Sequence, residues 1–201
     1  MTAAGRGPET NPAARGRGRP RSEEARADIL QATRELLLEE GYTKLAITHV
    51  AQRAKVGKTT VYRWWPTKGE LVLEAAEDCI AIGEVPDSGR TSEDLRIASE
   101  QLIRTFSDPL AALVIFAAIS TVDHDPELAA AFRDRHVYPW RMSAARAIQR
   151  GMERADIPPG SDVGFLLDVV VGTVIQRTLV VAHPETDGLA EQIRDLVMGI
   201  G

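Results

Sequence analysis

The sequence predicts an all-α protein, and three observations lead there. Apolar residues recur three and four positions apart through most of the chain. No stretch alternates with the period of two that a half-buried strand requires. Helix-opening signals punctuate the chain, among them the Asp-Pro pairs at 108–109 and 125–126.

Residues 1–21 are rich in Gly, Pro and Arg, have no apolar run to bury, and are expected to form a flexible basic arm. Ser22 offers an N-cap for the first helix. Ala25, Ile29, Ala32, Leu36 and Leu37 continue it at helical spacing to a stop at Gly41. Two short helices follow, over about 47–54 and 58–64, and Thr67 caps a longer one running to about Ile82. "GEVPDSGR" is a loop. Helices are then expected over 91–106, after each Asp-Pro pair, and on to about Arg154, with Tyr138-Pro139 kinking or dividing that stretch. A long apolar helix spans about 161–182 and a short one about 187–198. The chain divides into the arm (1–21), a first unit (22–68) and a second (69–201).

The 163–182 stretch nearly reaches the length of a membrane span, but Asp168, Gln176 and Arg177 interrupt it, so it is expected to bury against protein. A subunit interface is the favoured reading, shared with the last helix through Leu189, Ile193, Leu196 and Val197. A purely intrachain core is the alternative.

The net charge of −5 conceals an asymmetry. Residues 1–70 hold 13 Lys/Arg against 8 Asp/Glu, whereas the remainder holds 11 against 21. A basic front and an acidic rear suit a nucleic-acid reader joined to a unit with other business. Chance clustering of solvated charges would look the same, so charge alone decides nothing. The single cysteine, Cys79, excludes an internal disulfide and fits a reducing cytoplasm. The first 21 residues have no apolar run of signal-peptide type.

The stretch "KVGKTTVYRWWPTK", 55–68, carries the chemistry. Gly57-Lys58-Thr59 resembles the end of a phosphate-binding loop. That loop needs a glycine where Gln52 stands and a buried strand ahead of it, whereas "ITHVAQRAK" is helical in pattern. A helix-turn-helix passes the corresponding tests. Val50, Ala51 and Ala54 line one face of its first helix, Val56 plugs the turn, and Val61 and Trp65 point the second helix inward. Lys58, Thr59, Thr60, Tyr62 and Arg63 are left outward, where a recognition helix meets base edges and phosphates. Tyr62 and Trp64 can donate to a phosphate, and Lys68, in the first turn of the next helix, can add a charged contact. Trp65 is read as core; Trp64 is as readily core as ligand.

"AQRAKVGKTTVYRWWPTKGELV", preceded by "ADILQATRELLLEEGYTKLAITHV", resembles the N-terminal DNA-binding region of the TetR family of bacterial transcriptional regulators. The resemblance covers residues 22–72. It implies a three-helix DNA-binding domain, a ligand-binding domain of mostly unique sequence, and a homodimer formed through the last two long helices. It also implies DNA contacts at Lys58, Thr59, Thr60, Tyr62, Trp64 and Lys68, and at Thr48 near the start of the preceding helix. Two positions depart from the family pattern. Ala46 stands where Thr or Ser would cap a helix, and Lys55 stands where Gly is usual in the turn. Each is expected to cost about 1 kcal/mol. "RGRP", 17–20, resembles the core of an AT-hook, which would send Arg17 and Arg19 into a narrow minor groove; a non-specific phosphate tether is the alternative.

The second unit offers no catalytic constellation, so no enzyme and no cofactor are expected. "DHDPE", 123–127, has ligand-type side chains with His136 in possible reach, yet Asp125 serves better as a helix cap, and no metal is expected. "PLAALVIFAAISTV" is apolar on all sides and must lie inside. Phe106, Phe116, His136, Tyr138, Trp140, Met142 and Phe165 are candidates to line a cavity beside it, although each is also explained as core. The function expected is a cytoplasmic, homodimeric repressor, bound to a double-stranded operator and released by a small apolar or aromatic effector, with no membrane partner. The alternative is an effector-independent DNA-binding dimer whose second unit only dimerises.

Overall fold

The computed structural model describes residues 19–120, 125–181 and 186–199. Among these there is no strand. Ten α-helices follow in order: α1 Arg19–Lys44, α2 Ile47–Arg53, α3 Lys58–Trp64, α4 Lys68–Ala76, α5 Thr91–Ser107, α6 Pro109–Ser120, α7 Pro126–Phe132, α8 Tyr138–Glu153, α9 Val163–Ile175 and α10 Leu189–Met198.

The capping carboxylates and hydroxyl act as the sequence suggests. Thr67 Oγ1 accepts from Glu70 N at 3.2 Å, and Asp125 Oδ1 from Leu128 N at 3.1 Å. Asp108 Oδ1 accepts from the amides of Leu110 and Ala111, both at 2.9 Å, and α5 and α6 turn through 88° at that point. Asp162 Oδ1 caps α9 through Phe165 N at 3.0 Å. Each satisfies amides that the first turn of a helix leaves without partners.

Several boundaries depart from expectation. The first helix begins at Arg19 rather than after Ser22, so the expected arm is shortened to its described limit; Arg17 and the rest of 1–18 lie outside the described residues. The backbone breaks at Gly41, where φ is +76°, before helical geometry resumes to Lys44. The helix after Thr67 ends at Ala76 with a 3₁₀ turn at Glu77–Cys79, not near Ile82. Around Tyr138-Pro139 the chain does not divide. A π-helical turn, Arg133–Val137, carries α7 into α8, and Pro139, which has no N–H to donate, follows directly on that wider turn. A second π-helical turn, Gln176–Val180, extends α9.

One core runs through the protein. In the N-terminal part it holds Ile29, Leu37, Val50, Val61 and Trp65. Helix α4 packs on α1 and α7, and α1 packs on α6, so the first three helices are joined to the second unit through α1. There α5 is the central strut, contacting α6, α8, α9 and α10. Leu189, Ile193 and Val197 of α10 are buried within the chain, in a helix that packs chiefly on α5. This corrects their assignment to a subunit interface: only Leu196, 60% exposed, points away. Helix α9 keeps an apolar surface outward instead, with Phe165 64% and Val180 65% exposed. Val163–Val180 is the one described helical segment long and apolar enough to cross a membrane, and only 17% of it is buried within the chain.

Candidate functional site

Helices α2 and α3 form the crossed pair. Val50 and Ala51 of α2 meet Val61 of α3, all three essentially inaccessible, and Val56 packs against them from the turn. The turn has a defined geometry. Val56 N donates to Ala51 O at 2.9 Å and Lys55 N to Gln52 O at 3.2 Å, with Lys55 left-handed at φ +54°. This is a Schellman ending with lysine at the residue that normally favours glycine. At the other end of α2, Ala46 occupies the N-cap with no side-chain bond. Both departures noted in the sequence are thus built into the backbone.

With Val61 and Trp65 inward, Lys58, Thr59, Tyr62 and Arg63 are exposed and Thr60 is half-buried. Thr59, Thr60, Tyr62 and Arg63 together line a shallow open groove. Thr48, on the first turn of α2, is also exposed. No carboxylate lies in the sequence 46–69; the acidic groups beside α2 come from α1, where Glu35 and Glu39 pair with Arg53 and Glu40 lies 3.4 Å from His49.

Two of the expected contact residues are held otherwise. Lys68 Nζ donates to the carbonyls of Tyr42 at 3.0 Å and Leu45 at 3.3 Å, and lies 4.0 Å from the centroid of the Tyr42 ring. Its ammonium closes the C-terminal end of α1, where a cation is favoured, instead of reaching outward. Burial pushes its pKa down, with Asp125 opposing. Trp64 is half-buried with its indole N–H inaccessible, and the Arg26 guanidinium lies 5.6 Å from its ring centroid. That N–H is not presented to a phosphate. Both placements have one cause: partners in or just after α1, distant in sequence, hold these side chains.

Connections from this head to the rest are specific. Tyr42 Oη donates to Asp125 Oδ2, and Asp125 also caps α7 through its other oxygen. Burial and this neighbouring carboxylate push the Tyr42 phenol well above its ordinary pKa, so it stays a donor. Gly69 of α4 lies so near α7 that an added Cβ would stand 3.1 Å from Leu128 Cα.

Helix α7 leads into the wall of a cavity of about 370 Å³, within the size range of small-molecule sites. Its lining comes from α5 to α9, the first π-helical turn and Ile82 of the segment before α5. Leu102, Phe106, Ile115, Phe132, Val171 and Ile175 supply most of the surface; Arg133, His136, Trp140 and Arg141 supply the polar groups. Of the expected lining residues, Phe106, His136 and Trp140 are present. Tyr138 and Met142 instead line a neighbouring groove that shares His136 and Trp140. Phe116 and Phe165, each 64% exposed, line neither and face outward on α6 and α9. Sequence reasoning missed Arg133 and Arg141, because a search for apolar pocket walls passes over arginine. Their three- and five-residue spacing from His136 was the available signal.

A helix-turn-helix with an outward polar recognition face, carried by a helical unit that encloses an apolar cavity, defines a class: DNA-binding transcriptional regulators with a sensing domain. Known proteins agree. Residues 29–75 match the family described as bacterial regulatory proteins, tetR family, and residues 85–197 match the tetracyclin repressor-like C-terminal domain. The uncharacterized HTH-type transcriptional regulator YdeS of Bacillus subtilis is 31% identical over 186 residues, covering 90% of each chain. The DNA-binding transcriptional repressor TetR of Mycobacteroides abscessus is 29% identical over 184 residues, covering 89% of this chain and 94% of that one. The crystal structure of the TetR family transcription regulator SCO0332 superposes with a TM-score of 0.61 at 31% identity, covering 89% of this chain and 98% of that one. The chain belongs to the TetR family of bacterial transcriptional regulators.

Proposed function

We propose that the protein is a homodimeric repressor that leaves its operator when a small, largely apolar molecule fills the cavity between α5 and α9. The observation that carries this reading is the position of the cavity. Its wall includes the end of α7, and the beginning of α7 holds both links to the head, Asp125 with Tyr42 and Leu128 with Gly69. A ligand that repositions α7 therefore acts on α1 and α4 through contacts already made. Its effect on operator affinity is bounded by its differential affinity for the bound and released conformers.

Lys58, Thr59, Thr60, Tyr62 and Arg63 would meet the major groove, with Thr48 at its edge, and Arg17 of the arm and Arg19 at the start of α1 adding phosphate or minor-groove contacts. The partner subunit would cover the exposed apolar face of α9, because a surface of that size and polarity is rarely left to water. Two-fold symmetry then places the recognition helices to read a pseudo-palindrome.

The test is fluorescence anisotropy on operator fragments selected with the purified protein, with and without a ligand shown calorimetrically to bind. Thr59→Ala and Lys58→Ala should each weaken binding several-fold while leaving unfolding free energy within ~0.5 kcal/mol, as exposed positions allow. Removing residues 1–18 should weaken binding and flatten its salt slope. Operator affinity indifferent to every cavity ligand would instead support an effector-independent dimer.

A further inference from the structure

The polar groups on the cavity wall are of one kind. Arg133 and Arg141 are guanidiniums, which only donate, and the indole N–H of Trp140 also only donates; His136 Nε2 is the remaining group. Among the described residues no Asp, Glu, Ser, Thr, Asn or Gln lines the cavity, so the only side-chain atoms there that can accept a hydrogen bond from a ligand are imidazole nitrogens. Two of these groups are deeply buried and lack protein partners: His136 is 5% exposed and Trp140 3%, and neither His136 Nε2 nor Trp140 Nε1 has a hydrogen bond. Buried polar groups without partners are uncommon in native interiors, and two on one small apolar wall point to a partner that arrives with the ligand.

Charge points the same way. Arg141 is engaged on one side, its Nη1 lying 2.7 Å from Asp168 Oδ1. Arg133 has no ion pair or hydrogen bond among the described residues. The nearest carboxylate to His136 is Glu77, with Oε2 at 3.8 Å, beyond hydrogen-bonding distance, and Glu77 is not part of the cavity wall. The wall therefore carries unbalanced positive charge beside a mostly aliphatic and aromatic surface.

We propose that the ligand is an amphipathic acid: an apolar chain or ring bearing a carboxylate, with the carboxylate at Arg133 and within reach of the unpartnered nitrogens of His136 and Trp140. This specifies the ligand class of the effector reading above and rests on it. A neutral hydrocarbon would leave the buried donors as they are, and an amine would face two guanidiniums. A carboxylate accepts up to four hydrogen bonds and matches the guanidinium fork.

The experiment uses the full-length protein and matched ligand sets: decanoate, decanol and decylamine, and 4-phenylbutyrate with the corresponding alcohol and amine. Calorimetry measures binding to the native protein and to Arg133→Gln, with thermal unfolding to show that the variant is folded. In at least one set the acid should bind about tenfold or more tighter than the alcohol, the amine should bind worst, and Arg133→Gln should remove most of the acid's advantage while leaving alcohol binding nearly unchanged. Equal affinity for acid and alcohol, preference for the amine, an acid preference that survives Arg133→Gln, or no binding by either set would overturn the proposal. Operator anisotropy on the same samples separates the two readings. Tight, Arg133-dependent acid binding with unchanged operator affinity would retain the ligand class and remove the effector role.

Discussion

Trp65 Nε1 donates to Glu74 Oε2 at 2.7 Å, while the other oxygen of Glu74 receives Arg26. One carboxylate on α4 thereby ties the end of the recognition helix to the start of α1, and the Arg26 guanidinium lies 5.9 Å from the Trp65 ring centroid. Trp65 is only 2% exposed, so its N–H has no solvent to fall back on. Trp65→Phe removes a hydrogen bond to a charged acceptor together with part of the ring that fills this corner. The expected loss is roughly 2–3 kcal/mol of stability, read from urea unfolding. Operator affinity should fall as well, because the orientation of α3 depends on that tie.

Lys55 permits a sharper separation of stability from recognition. Its left-handed backbone is a conformation that glycine adopts freely and lysine does not. Lys55→Gly should raise the unfolding free energy by about 1 kcal/mol. If the exposed ammonium also meets a phosphate, the same variant should bind DNA more weakly and with a shallower salt dependence. A variant that gains stability and keeps its full salt slope would show that Lys55 stays off the backbone of the duplex.

The helix-turn-helix was legible because its information is local. Val61 and Trp65 are four residues apart and both turn inward, which fixes where Lys58, Thr59 and Tyr62 must point. The same holds for the caps at Thr67, Asp108 and Asp125, where one side chain answers amides two or three residues away. The side-chain positions of Lys68 and Trp64 were not legible, because their partners lie at Tyr42, Leu45 and Arg26, up to 38 residues upstream. Periodicity also showed that α10 is amphipathic without showing what it faces: α5 supplies the apolar surface that a second subunit was expected to provide. The cavity was only partly readable. Phe106, His136 and Trp140 share it because α5 and α8 converge around a π-helical turn, and such a turn has no signature in a single sequence.

Gly69 reports on the contact between α4 and α7. An alanine Cβ there would meet Leu128 N and Cβ at 3.2 Å as well as Cα at 3.1 Å, so backbone and not merely a flexible side chain must yield. Alanine is favoured over glycine in a helix by about 1 kcal/mol, but overpacking a close contact costs typically ~1–3 kcal/mol. Gly69→Ala should therefore destabilise by roughly 1 kcal/mol net. Because Leu128 N is also the amide capped by Asp125, the displacement reaches the Tyr42 link. Operator affinity, measured by anisotropy, should change more in this variant than in Gly57→Ala, where an added Cβ meets nothing within 4 Å.

His136 makes the fold sensitive to mild acid. Burial pushes its pKa below the ordinary value of 6.5; Glu77 opposes the shift and Arg135 adds to it. The imidazole also stacks near Phe132, with centroids 5.7 Å apart, and shares the cavity wall with Arg133 and Arg141, so a proton on it would join positive charge already there. Below about pH 6.5 the unfolded chain takes up this proton more readily than the folded one. The stability contributed by the neutral ring is therefore complete above that pH and is lost as pH falls from there through the lowered folded-state value. Melting temperatures across pH 7.5 to 5 should decline in the native protein, and His136→Gln should flatten that decline while lowering the plateau. Parallel curves for the two proteins would mean that other groups cause the acid sensitivity and that the buried imidazole contributes none of it.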